Sequence, residues 1–471
     1  MNRFKHLPDS LHLPDTRILM SSYLPGFLLV CVLASVSYGQ SPSTADSNLN
    51  EQLADLLERL KDKDVKVRCN SARALGSMGP KAAKNKEVIP ALVKAAIDNQ
   101  VSVRVAAGLA LRQMGPDAIQ AKVVPALVGL IHDESVYAME ALAVLGPQAS
   151  DAVPVLIKSL LHKDARVRRG AVKALMGIAA PAAQQKGAVG ALVTALKDQD
   201  EQVRVRAAKA LGIMGPAAAK AVPPPAPALI AALKDQDMQV RYWAALALGK
   251  LGPGALENKG AVPALIATLT DKKARIRAIA AFVLGQFGAA ATDNKNTLPA
   301  MAVTLKDQDS QVRFYTASGL SALGAAVAKD PQTLGAMVEA LKDENVEVRR
   351  VMAFALGNIG PAAAVDKRTV PILIKALTNE DGQVRASAAI SLGKINAARL
   401  MDKVTVPKLI VALKDEYWMV RREAALALSK IGPAASNDKH TLPALTKALA
   451  DEDERVRKAA EVALYHVKAE K

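Results

Sequence analysis

Aromatic residues make up only 3% of these 471 residues, although 51% of the chain is hydrophobic. Ordinary globular cores draw on rings for bulk, so a chain this long and this poor in them is not a set of typical compact domains. Cysteine is rarer still, at two residues, which excludes a disulfide-stapled scaffold. No run of about 18 apolar residues exists to form a membrane-spanning helix. Charge is not balanced: Lys plus Arg number 62 and Asp plus Glu 45, a formal net of +17. That excess favours acidic proteins, anionic surfaces or nucleic acid as partners. The 25 Pro and 28 Gly are regularly spaced, which argues against low-complexity disorder.

Residues 1–39 differ from the rest. Arg3, Lys5 and Arg17 precede an apolar stretch from Phe27 to Val36, and Ser37 and Gly39 are small residues just ahead of Gln40. This is the pattern of a secretory signal peptide cleaved near Gly39, with an exported (periplasmic or extracellular) mature chain as the expectation. Met20 is an alternative start, and a signal-anchor is the alternative to cleavage. Cleavage removes Cys31, leaves Cys69 as the single thiol and leaves no membrane span. Residues 40–48, QSPSTADSN, read as a disordered spacer.

From residue 49 to 468 the chain repeats itself. A Val-Arg or Ile-Arg pair recurs at Arg68, Arg104, Arg168, Arg204, Arg241, Arg277, Arg313, Arg349, Arg385, Arg421 and Arg457, every 36 residues from Arg241 onward. One degenerate copy at Val136-Tyr137 brings the number of units to twelve. Each unit parses into two helices. A Pro such as Pro263 or Pro299 opens the first, an acidic turn such as Asp198 to Asp200 follows, and an Asp caps the second helix. In that second helix Val203, Ala207, Leu211 and Met214 share one face, and Gly215-Pro216 ends it. Two helices of this size cannot bury their own apolar face, so neighbouring units must stack.

The repeated D-x-x-V-R and A-L-G-x-I-G-P words resemble the HEAT-repeat family, especially the bacterial HEAT-like type first associated with phycobilisome lyases. The resemblance implies an all-α, right-handed α-solenoid of twelve two-helix repeats, with the second helices on the concave side and one continuous array over 49–468. A bend is expected near the Pro-rich link 223–227. As in related repeats, each recurring Arg is expected to bridge Asp groups of its own and the adjoining turn, a structural ladder rather than a ligand site.

Catalytic signatures are absent from the sequence. The histidines of the mature chain, His132, His162, His440 and His466, have no partner at metal-ligand spacing, and the His-Glu dipeptide of iron-holding HEAT-repeat hydroxylases does not occur. Neither a phosphate-binding Gly-rich loop nor a G-x-S-x-G elbow is present, so no cofactor, metal or enzymatic activity is expected.

Recognition is therefore sought where the copies differ, at the positions two, three, six and ten after the Val of each second helix. In the early units these carry Arg73, Arg169, Lys173, Arg206 and Lys209, and in the later ones Arg350, Lys394, Arg422 and Lys430. Between them lie Tyr242, Trp243, Phe282, Phe314, Tyr315 and Phe354, while Phe287 falls at a core position. Aromatic anchors with cationic flanks suit an acidic protein segment; the bland alternative is that the rings fill space between helices. A row of lysines, Lys86, Lys122, Lys186, Lys259, Lys295, Lys367, Lys403 and Lys439, precedes the first helices and reads as a solvated edge or an anionic-surface contact. The sequence thus points to an exported, non-enzymatic scaffold. Nucleic-acid-backbone binding and a lyase-like accessory role are the alternatives, and the oligomeric state is open.

Overall fold

The computed structural model describes residues 42–132, 135–396 and 404–468, and among these no strand occurs. Residues 1–41, and with them the leader, lie outside the described residues. The chain divides into two units, 1–52 and 53–471. In the first, the described residues belong to a helix that runs Pro42–Arg59. The spacer expected at 40–48 is therefore helical from Pro42 on. Proline at the first helical position needs no amide partner, and Leu49, Leu53, Leu56 and Leu60 continue the helical apolar spacing behind it.

Among the described residues twelve helix pairs appear, as the repeat predicts. The second helices of repeats one to six are Val65–Met78, Val101–Arg112, Val136–Leu145, Ala165–Ile178, Glu201–Met214 and Met238–Leu251. Those of repeats seven to twelve are Ala274–Gln286, Ser310–Leu323, Val346–Ile359, Gly382–Asn396, Trp418–Ile431 and Glu454–Lys468. The core face is the expected one, with Val203, Ala207 and Leu211 wholly buried and Met214 nearly so; Phe287 is buried as well. The prolines sit one or two residues inside the first helices rather than at their start, as in Ala261–Thr268 with Pro263. Those positions still lie in the first turn, where no amide hydrogen bond is lost.

Capping follows the sequence. Asp64, Asp164, Asp200, Asp237 and Asp309 each accept a backbone N–H at the start of a second helix. At the other end a residue with positive φ reverses the chain, and a short third helical turn begins at it or at the following residue, as at Gly432 (φ 67°), which opens Gly432–Asn437, and at Gly215 (φ 53°) before Pro216–Ala219. This third turn is not evident from the Gly-Pro word alone.

Within residues 53–471, consecutive second helices pack closely along the whole row, through the Pro-rich link as elsewhere, whereas consecutive first helices touch sparingly. A row packed more tightly on one side curves toward that side, so the second helices line its concave face.

Candidate binding surface

The recurring arginine sets the spacing of the row. Arg241 donates Nη1 to the carbonyls of Asp235 (2.9 Å) and Gln236 (3.1 Å) in its own turn. Its Nε and Nη2 then grip the Asp271 carboxylate of the next unit at 2.7 and 3.1 Å. The same fork joins Arg68 to Asp98, Arg168 to Asp198, Arg204 to Asp235, Arg277 to Asp307, Arg313 to Asp343, Arg385 to Asp415 and Arg421 to Asp451. The ladder is thus real, but the home turn contributes carbonyl oxygens rather than carboxylates. The carboxyls of Asp307 and Asp451 are held below the usual carboxylate range, first by the hydrogen bonds from Arg277 and Arg421.

Three arginines depart from the rule. Arg104 reaches Glu140 (3.3 Å) and lies over the Tyr137 ring at 4.0 Å. Arg349 meets Glu380 (2.8 Å), because Asn379 stands where other units have the ladder Asp, and its buried Nε has no hydrogen-bond partner. Arg457, in the last unit, bonds only the Asp451 and Glu452 carbonyls among the described residues.

The variable positions are less open than the sequence suggests. Tyr242 is only 5% exposed and Phe314 9%, so neither is a free anchor. Their position, two after the Val, falls between adjacent second helices; Ala278 and Ala386 at the same place are buried too. Trp243, Phe282, Tyr315 and Phe354 are half-buried, three or six residues after the Val or Ile of their second helices, on the side turned away from the core. Edge-to-face contacts join Tyr242 to Trp243 (5.4 Å) and join Tyr315 to both Phe282 (5.8 Å) and Phe314 (5.3 Å). Burial raises the Tyr315 phenol above its ordinary pKa.

Cations cover this ribbon. Lys209 lies 4.8 Å from the Trp243 ring centre, Arg275 4.4 Å from Tyr242 and Lys394 5.1 Å from Phe354. Three cations expected to face solvent are instead engaged: Arg169 with Asp200, Lys173 with Glu140 (2.8 Å) and Arg350 with Asp381 (2.9 Å). Arg206 makes no hydrogen bond or ion pair among the described residues; burial, with Arg169 beside it, lowers its pKa. Burial and Lys430 likewise lower that of Lys394. The carboxyl of Glu423, in the same quarter, is raised by burial against the pull of Arg422, Lys430 and Lys394.

One part of the concave face escaped sequence reasoning. Val101 (62% exposed), Val105 (46%) and Leu109 (44%) form a stripe along the second helix of repeat two, and Tyr137 (41%) lies on the next second helix. Val105 and Leu109 stand two and six after Val103, at outward positions, but an aliphatic side chain there has neither charge nor ring to mark it as a contact.

Among the described residues no group of three or more His, Cys, Asp or Glu could hold a metal ion, and no single helix is long and apolar enough to cross a membrane. Lys403 of the lysine row lies outside the described residues; Lys86, Lys122, Lys186, Lys259, Lys295, Lys367 and Lys439 are exposed.

The profile of HEAT repeats matches residues 53–146, 189–285, 226–317, 334–404 and 370–465. The chain belongs to the HEAT-repeat family. Among curated protein sequences none matches it. Solved structures do: an engineered protein is 23% identical with a TM-score of 0.51, covering 89% of this chain and 99% of its own. Kap95p, in a structure with RanGDP, is 13% identical with a TM-score of 0.60, over 90% of this chain and 63% of its own. A mutant of Kap121p is 17% identical with a TM-score of 0.57, over 86% of this chain and 48% of its own. At these identities the likeness is one of fold, and the HEAT-repeat chain spans less than two thirds of either Kap protein.

Proposed function

We propose that this HEAT-repeat array is a non-enzymatic scaffold that binds segments of partner proteins along its concave face. The observation that carries the reading is the half-buried ribbon of Trp243, Phe282, Tyr315 and Phe354 with Lys209, Arg275 and Lys394 over or beside its rings. Rigid rings lose little entropy on binding, and cations without carboxylate partners draw an acidic segment to them. Arg206, desolvated and unpaired, is the residue with most to gain from a partner's carboxylate. Kap95p, of the same fold, is described as binding RanGDP, which agrees with a protein partner. The leader at 1–39 supports export, so the partner is an extracytoplasmic protein.

The test is selection from a displayed peptide library on the immobilised mature chain, repeated with a Trp243→Ala, Tyr315→Ala variant. Acidic peptides are expected to be enriched on the wild type and to bind the variant about tenfold or more weakly. Equal affinities for both proteins would remove the aromatic ribbon as the contact surface.

A further inference from the structure

The second helices of repeats one, two and four carry no carboxylate at all, and that of repeat three carries a single one, Glu140. Burial pushes the Glu140 carboxyl up, but Lys173 and Arg104 together hold it below its usual pKa, so its charge is already engaged. On the same four helices Arg73 and Arg112 are exposed and have no carboxylate partner among the described residues; Arg73 bonds only Asn70, at 3.3 Å. The stripe of Val101, Val105 and Leu109 lies on the helix that ends at Arg112, and the helix that carries Arg73 packs beside it. It spans two helical turns, roughly 12 Å, and Tyr137 widens it toward repeat three. An exposed apolar strip in a quarter whose single helix carboxylate is already paired calls for a cover.

We propose that this quarter of the concave face docks an amphipathic helix of a partner protein, with its apolar side on Val101, Val105, Leu109 and Tyr137 and its carboxylates toward Arg73 and Arg112. Charge selects the occupant. A second copy of this chain would bring a +17 surface to a cationic one. Nucleic acid would satisfy the arginines but would leave the aliphatic stripe against a phosphate backbone. An acidic helix satisfies both, because residues three and four apart form its apolar side while Glu residues flank it. The inference rests on the scaffold reading but not on the aromatic ribbon, which lies in later repeats.

The probe is a designed helical peptide of about 18 residues, with Leu at three- and four-residue spacing and Glu on both flanks, labelled for fluorescence anisotropy. Binding to the mature chain is expected. It should weaken about tenfold or more in Val105→Asp and in Leu109→Asp, both surface changes, and persist in Trp243→Ala, Tyr315→Ala. A Lys-flanked peptide of the same apolar pattern should not bind. Four results overturn the proposal: no binding at about 1 mM peptide, equal binding of the Lys-flanked form, indifference to both Asp variants, or loss in the aromatic double variant alone. Displacement of the peptide by a DNA oligonucleotide at equal concentration would reassign the surface to nucleic acid.

Discussion

At the scale of single residues, one arginine does two jobs in ten of the twelve repeats: it ties its own turn through carbonyls and the next repeat through a carboxylate. Removing the acid from one rung shows what the fork contributes. In repeat ten the rung residue is Asn379, which accepts the backbone N–H of Asp381 as its counterparts do, but Arg349 is left with Glu380 and an orphaned Nε. A buried donor without a partner costs about 1–3 kcal/mol. Asn379→Asp is therefore expected to restore the two-pronged bond and raise stability by about 1–2 kcal/mol, read as a higher denaturant midpoint. A lowered midpoint would mean that the added carboxylate is not gripped by Arg349. The repeated Val-Arg and the acidic turn made this ladder legible in the sequence. The carbonyl half of each fork was not legible, because backbone acceptors leave no trace in side-chain identity.

Helix boundaries at the element scale were readable for a similar reason: capping Asp, early Pro and terminal Gly are each demanded by a backbone requirement that only a few residues meet. Repeat four breaks the last of these, since Ala179 stands where nine other repeats have a glycine with positive φ, and it adopts φ 52°. A Cβ at positive φ costs roughly 1–2 kcal/mol, so Ala179→Gly is expected to stabilise the protein by about 1 kcal/mol once the glycine's own entropy loss is deducted. Thermal unfolding of the two proteins checks it; an unchanged or lower midpoint would show that the surroundings relieve the strain. Exposure of the variable positions was harder to read. A helical projection places Tyr242 and Trp243 together on the outer side, yet Tyr242 is buried and Trp243 half-open. How far a helix tilts into its neighbour decides between them, and that depends on small residues in the adjoining unit. At Gly285 and Gly319 the two helices approach so closely that an added Cβ on either would strike its neighbour.

Across the whole molecule, an array held by contacts between successive repeats is as cooperative as its weakest joint. The ladder points to that joint. Repeat three has no arginine in its second helix, and repeat four has His162 where most of the others place the receiving Asp. His162 instead accepts the Asp164 N–H through Nδ1 at 3.0 Å. Both halves of one rung are thus replaced together. The link across this joint includes the Lys173–Glu140 pair, half-exposed and worth less than a buried two-pronged bond. Opening should accordingly be easier on the N-terminal side of the joint, where it would release the repeats that carry the Val101–Leu109 stripe. Native-state hydrogen exchange is expected to divide the second helices into two groups, with Val65–Met78, Val101–Arg112 and Val136–Leu145 opening together and sooner than Glu201–Met214 and Met238–Leu251. Equal protection in both groups would mean that apolar packing between second helices, which continues through the joint, outweighs the change of rung chemistry.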